Sequence, residues 1–367
     1  MRQRDMSRIL ALGVALAFAG TGSSAEAGDG RDLLTAMPAG VKLLLGVDLA
    51  RARGSAVFKS YMADLKKDPA RKKRYDNFVQ KAGFDPSTEV DTLLIGTTLD
   101  QTAEQEIVVI AKGNVSEAKV RKALKKQEGK LLDKKHKGVR YQMSTKSGQQ
   151  FGVAVVEGHI VLAFEPQLKR TIDLIKGGKG KSSASDADLK RMVAASAPGS
   201  AAWLVATLPE QIRTKAAKGP AASLSAAREV RGDVRLAGGL DLTLVFGCED
   251  DDTAAGLNQL LGLALFEVQA NPALKAFSLG GLLGKLKMSV KGKELTMELA
   301  MSEAEMAAAI DTLARTVEQQ QAAKLRKRPP KMLGAPTNAG RPLQLGTKKG
   351  AKKGAKKTTK KATKKRK

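Results

Sequence analysis

Apolar residues along this chain fall into short runs separated by polar stops, a spacing that predicts strands joined by tight turns, with helices between them. The run over 41–48 ends at a polar stop and reads as a strand. Two basic segments, near 54–67 and 70–82, carry helical spacing. Residues 91–99 and 104–112 read as two paired strands. A helix is expected next, opened by Asn114 with Glu117 three residues on as a capping box, and with Val120, Ala123 and Leu124 at helical spacing. Strands follow near 130–136, 139–144, 150–156 and 159–164, the last pair turning at Glu157-Gly158. Glu165-Pro166 opens another helix, with proline in its first turn, that stops at Gly177-Gly178. Residues 177–185 are expected to be a flexible connection.

The second half replays this order. Residues 201–208 match the first strand, and 234–247, broken by two glycines, match the paired strands 91–112. A helix is expected over 251–270 and a hairpin over 286–290 and 294–301, like that at 139–156. Ser302 then caps a final helix with Glu305 as its box partner. Each half reads β, helix, β-β, helix, β-β, helix, the mark of a diverged internal duplication. The fold class is therefore α+β: duplicated units of antiparallel sheet with helices packed on them. The units are 28–181 and 199–321, and they could be separate domains or pair their sheets into one. Hydrophobic residues make up 42% of the 367 residues but aromatics only 4%, so the core is built mainly from Leu, Val, Ala and Ile.

The two ends differ from this pattern. Residues 1–27 carry the marks of a secretory signal peptide: Arg2, Arg4 and Arg8, an apolar stretch over 9–20, and Ala25-Glu26-Ala27 as a cleavage site. That stretch is shorter than the roughly 20 residues a bilayer span needs. Residues 322–367 hold 18 Lys/Arg and no acid, and nothing in them can bury apolar area, so a disordered tail is expected. Its polyanion-binding residues would be Lys348, Lys349, Lys352, Lys353, Lys356, Lys357, Lys360, Lys361, Lys364, Lys365, Arg366 and Lys367. They repeat with a period of four, which winds around a 3.6-residue helix instead of sharing one face. This tail resembles the lysine-rich tails of linker histones and of some bacterial histone-like proteins, which implies non-specific polyanion binding.

The net charge of +27 points to an anionic partner. The tail supplies +18 and residues 28–198 supply +11, while 199–321 carry −3. Within the first half, Arg71-Lys72-Lys73-Arg74 and the stretch 112–146, with 12 basic and 3 acidic residues, either are solvated faces or extend the anion-binding surface. With Trp203, Tyr61, Tyr75 and Tyr141 as the only Trp and Tyr, base stacking has no platform, so nucleic-acid binding would be phosphate-driven and salt-sensitive.

Candidate catalytic chemistry is sparse. One cysteine, Cys248, excludes an intrachain disulfide and multi-cysteine metal sites, and it reads as a small buried hydrophobe. His136 and His159 have no carboxylate partner evident in sequence. Gly180-Lys181-Ser182 lacks the first glycine of a P-loop, since Ile175 stands there, and follows a helix. Ala276-Phe277-Ser278-Leu279-Gly280 lacks the order of a nucleophile elbow. The acidic run 249–252 reads as a helix cap, and Asn114-Val115-Ser116 as a cap rather than a glycan acceptor. No cofactor, metal or catalytic residue is expected.

The segments MPAGVKLLLGVDLARARGSAVFKSY, GFDPSTEVDTLLIGTT and EIVVIAKGNVSEAKVRKAL resemble a group of uncharacterised exported bacterial proteins that share a signal peptide and this duplicated α+β layout, over about 41–320. The resemblance implies export, to the periplasm or beyond, and no activity or site carries over from it. The expected function is a non-enzymatic envelope protein, a binding or scaffolding module tethered to anionic surfaces by its tail. The alternatives are a nucleoid or RNA-associated protein and a periplasmic carrier of an apolar ligand held between the halves.

Overall fold

The computed structural model describes residues 30–99, 107–125, 131–144, 151–178, 180–218, 222–270, 284–306 and 308. The chain divides into two units, Met1–Glu318 and Gln319–Lys367, and every described element lies in the first. The strands are β1 (Leu43–Asp48), β2 (Val90–Thr97), β3 (Ile107–Gly113), β4 (Leu131–His136), β5 (Val139–Ser144), β6 (Phe151–Val156), β7 (His159–Phe164), β8 (Ala202–Thr207), β9 (Glu229–Arg235), β10 (Gly239–Gly247), β11 (Lys287–Lys291) and β12 (Glu294–Ser302). They form one 12-stranded sheet in the order β11-β12-β10-β9-β8-β1-β2-β3-β7-β6-β5-β4. Every neighbouring pair is antiparallel, as short turns between strands require. The fold is α+β, as the apolar pattern predicts.

The two halves meet where β1 pairs with β8, with Gly46 opposite Trp203. Outward from this seam the order is β1-β2-β3-β7-β6 on one side and β8-β9-β10-β12-β11 on the other. The hairpin β11–β12 therefore stands where β6–β7 stands. The expected match to 139–156 is off by one strand, because β12 joins β10 as β7 joins β3. The hairpin β4–β5 extends the first half beyond the matched strands.

The helices are α1 (Leu49–Arg53), α2 (Ala56–Lys67), α3 (Pro69–Ala82), α4 (Pro86–Glu89), α5 (Glu117–Lys125), α6 (Glu165–Ile175), α7 (Ala187–Ala195), α8 (Glu210–Ala216) and α9 (Asp251–Ala270). Their starts follow local chemistry. Ser55 accepts from the Phe58 amide at 3.0 Å to open α2, and Asp68, with Pro69 behind it, accepts from Ala70 at 2.8 Å and Arg71 at 3.1 Å to open α3. Ser302 and Glu305 close the predicted capping box, with Ser302 N–H donating to the Glu305 carboxylate at 3.0 Å and Glu305 N–H to Ser302 Oγ at 3.3 Å. At α5 the expectation fails by two residues: Ser116 Oγ, not Asn114, accepts from the Lys119 amide at 3.4 Å.

Alternation along the strands divides the core between two faces. Leu44, Leu94, Ile110, Tyr141, Val161 and Trp203 pack with Leu168 and Ile172 of α6, Leu189 and Met192 of α7, and Leu33 and Met37. The opposite face carries Val47, Ala111 and Ile160 against Leu49, Ala52 and Phe58. Farther along, Phe246 and Leu295 pack with Ala254 and Leu257 of α9.

Two further expectations are corrected. The connection 177–185 is pinned at its end: Ser183 is buried, its N–H donates to the Met37 carbonyl at 2.8 Å and its Oγ to the Pro38 carbonyl at 2.8 Å. α8 takes the place of the helix expected after the first strand of the second half, whereas α7 matches no expected element and is opened by Asp186, which accepts from the Asp188 and Leu189 amides at 3.1 Å. β9 begins at Glu229 instead of 234, because Arg231 and Asp233 interrupt its apolar residues and leave no apolar run to read.

At the seam, a Cβ built on Gly46 would lie 2.2 Å from the Trp203 ring, so only glycine admits the indole there. Gly46→Ala is expected to lower stability by about 1–3 kcal/mol in urea unfolding. Gly256→Ala, where an added Cβ meets nothing within 4 Å on α9, is expected to raise it by about 0.5–1 kcal/mol.

Candidate functional site

The structure sorts the basic residues of 112–146 into two groups by the sheet face they occupy. On the face bearing α6, acids neutralise them. Lys134 Nζ donates to Glu165 Oε2 at 2.6 Å, Lys169 Nζ lies 2.9 Å from Glu165 Oε1, and the Tyr141 hydroxyl donates to the same oxygen at 2.8 Å. The hydrogen bond from Lys134, with that from Lys169, holds the Glu165 carboxyl down to about 2. Burial and the hydrogen bond to Glu165 push the Tyr141 hydroxyl up. Nearby, Asp173 Oδ1 lies 2.7 Å from His136 Nε2 and 2.9 Å from Lys137 Nζ. Burial raises the Asp173 pKa, but the hydrogen bonds from Lys137 and His136 outweigh it and leave the carboxyl below its usual range. The fold thus supplies the carboxylate that the sequence did not show beside His136.

On the opposite face Lys125, Lys135 and Arg140 have no acid partner among the described residues. There α5 lies over β4, β5 and β6, and a cleft of about 270 Å³ opens between them. Its apolar lining is Val120 and Leu124 of α5 with Val153 and Val155 of β6. Arg121, Lys125, Lys135 and Arg140 stand around it. Arg121 pairs with Glu117 one turn back. Lys135 and Arg140 are direct cross-strand partners, an arrangement of like charges that costs stability unless an anion lies near. Asp133 is the one acid in this lining, and it accepts from Gln142 Nε2 at 3.0 Å. Gln142 is 7% exposed, and its Oε1 has no hydrogen-bond partner. The amide orientation is fixed chemically, because a carboxylate only accepts and so must face the NH₂ end.

Sequence reasoning marked the charge of this stretch but missed Gln142. The signal was present: a polar side chain between Tyr141 and Met143 in a strand, on the face shared with Arg140. The run Arg71–Arg74 lies on α3, which packs against α5, and there Arg71 pairs with Asp68 at 3.2 Å and Lys72 with Asp76 at 2.6 Å. Lys112 pairs with Asp32 at 2.7 Å.

The remaining sequence candidates fall elsewhere. Cys248 is buried, and desolvation, then the Asp250 charge, pushes its thiol up. Asp250 caps α9, its Oδ1 accepting from the Thr253 amide at 2.7 Å, and this hydrogen bonding holds its carboxyl below the usual range. Lys181 and Ser182 belong to the pinned connection, where Pro38 bridges to Ser182. The outer side of α9 exposes Leu260, Leu263 and Phe266. Residues 1–27, 276–280 and all twelve tail residues from Lys348 to Lys367 lie outside the described residues. Among the described residues no group of three His, Cys, Asp or Glu is placed to hold a metal, and no helix is long and apolar enough to cross a membrane.

The fold and cleft define an α+β protein with one continuous antiparallel sheet and a cationic recess on one face of its first half. No family model and no curated protein matches the chain. Among solved structures it is similar to three crystal forms of TP0453: form III at 11% identity with a TM-score of 0.44, form IV at 14% and 0.43, and form I at 12% and 0.40. Each match covers 76% of this chain and 96% of that one. At these scores the likeness carries no weight for function or for site residues.

Glu165 gives the test of the neutralised face. Glu165→Gln removes the partner of Lys134 and Lys169 and is expected to cost about 1–3 kcal/mol at pH 7. Because the folded pKa is depressed, this contribution is present above the unfolded value and lost as pH falls toward about 2. Denaturant unfolding of both proteins should therefore converge between about pH 4.5 and 2.

Proposed function

We propose that this chain is an exported, non-enzymatic envelope protein, in which the sheet unit serves as a binding or scaffolding module and the lysine-rich tail holds it against anionic surfaces. The observation that carries this reading is the charge partition: 12 of the last 20 residues are Lys or Arg, with no acid in 322–367, while 199–321 are net acidic. A polybasic segment gains about 1 kcal/mol per residue near an anionic membrane, so part of the tail suffices for attachment. Export is supported by the basic, apolar and small-residue pattern of 1–27. The idea of an apolar ligand carried between the halves finds less support, since the seam is a pair of hydrogen-bonded strands filled by Trp203.

The full chain and a version ending at Gln321 are to be compared on vesicles containing phosphatidylglycerol, across a salt series. The full chain is expected to bind at least roughly tenfold more tightly at low salt and to lose that advantage as salt rises. Equal binding by both would remove the tail from the mechanism. Sequencing the mature N-terminus from separated cell fractions tests export: a start near Gly28 outside the cytoplasm supports it. A retained Met1 in the cytoplasm would make nucleic acid the leading partner instead.

A further inference from the structure

We infer that the cleft between α5 and the strands β4, β5 and β6 is a binding site for a small organic anion: a carboxylate or phosphate monoester on a short apolar body that also bears a hydroxyl or N–H donor. This goes beyond attachment by the tail and does not depend on it.

Three features of the cleft each demand one part of that ligand. The first is charge. Lys125, Lys135 and Arg140 make no ion pair among the described residues, and the last two sit directly opposite each other across β4 and β5. Lys134, their neighbour on β4, points to the other face and is neutralised by Glu165 at 2.6 Å. The fold therefore places acids against one set of cations and leaves the set around the cleft for something else. Like charges held side by side favour an anion between them.

The second is the orphan acceptor. Gln142, a residue of the lining, is 7% exposed, spends its NH₂ on Asp133 at 3.0 Å, and keeps Oε1 buried without a partner. A buried acceptor without a donor is costly, and a ligand hydroxyl or N–H satisfies it. Discrimination for a ligand bearing that donor follows, because an analogue lacking it leaves Oε1 unpaired.

The third is the apolar floor. Val153 and Val155 are only half-buried although they occupy the inner strand β6, because the space above them is open. At about 270 Å³ the cleft lies near the small end of ligand pockets, room for one ring or a short chain and not for a polymer. It also belongs to one half alone: the strands β4 and β5 that hold Gln142, Lys135 and Arg140 have no counterpart beyond β11 among the described residues.

Isothermal titration calorimetry on the full chain tests this, with 4-hydroxyphenylacetate and 4-hydroxyphenyl phosphate as the two anion arms. Phenol and inorganic phosphate supply the body or the charge alone. Saturable binding of either arm at one site per chain is expected, at least roughly tenfold tighter than phenol or inorganic phosphate. The tighter arm identifies the anion. Arg140→Gln, an exposed change, should weaken both arms by roughly tenfold. Gln142→Leu should erase the advantage of 4-hydroxyphenylacetate over phenylacetate while leaving phenylacetate unchanged. Lys291→Gln on β11 is the control and should change nothing. The proposal is overturned by the absence of saturable binding, by phenol binding as tightly as the acids, or by Arg140→Gln without effect. If Gln142→Leu proves unfolded by circular dichroism, the Arg140→Gln comparison still decides the site.

Discussion

Everything else in this structure depends on the pairing of β1 with β8. That contact turns two half-sheets, each with an exposed edge, into one sheet whose faces run across the seam. It is possible because residue 46 is glycine. Trp203, the one tryptophan of the chain, lies over it with 1% of its surface exposed. In a protein with so few aromatics, placing the largest side chain at the joint gives the seam the dense packing that mainly aliphatic side chains supply elsewhere. α7 and the segment before it reinforce the same place: Leu189 and Met192 share a cluster with Leu44 and Trp203, and Ser183 is tied to Pro38.

Once the sheet is continuous, its two faces can be charged differently. Glu165 and Asp173, on α6, gather Lys134, Lys169, His136 and Lys137 around them, and the hydrogen bonds from Lys134 and Lys169 are why Glu165 resists protonation down to about 2. Because β4 alternates, Lys134 and Lys135 part company: one meets Glu165, the other faces Arg140 across the hairpin. A single strand thereby feeds cations to a neutralised face and to an unneutralised one. The cleft is the consequence of that alternation together with the extra hairpin. Its lining combines half-buried valines, unmatched cations and an acceptor without a donor, and those three demands converge on one kind of ligand.

Much of this architecture was written in the sequence at the level of elements. Strands at 131–136, 139–144, 151–156 and 159–164 and the helix at 251–270 followed from local patterns, since tight turns and period-two runs leave marks in composition. So did the class, α+β with antiparallel pairing. Legibility failed where the decisive contact is distant. β9 hides its start because Arg231 and Asp233, which pair opposite Val205 and Trp203, interrupt its apolar run, and the end of 177–185 looks like a linker because the carbonyls that hold Ser183 come from Met37 and Pro38, some 145 residues away. The duplication was visible, but its register was not: whether β11–β12 answers to β5–β6 or to β6–β7 depends on which strand β12 pairs with.

The sequence by itself determined the composition of the core, the succession of strands and helices, and the placement of two thirds of the net positive charge in a tail with nothing to bury. These depend on periodicity, turn chemistry and counts, which are local or additive. Tertiary structure alone decided that the halves share one sheet, that Asp173 reaches His136, and that Gln142 ends buried with one oxygen unmatched beside cations the acids do not reach. Each of these is a juxtaposition of residues far apart in the chain, and strand order and helix packing bring them together.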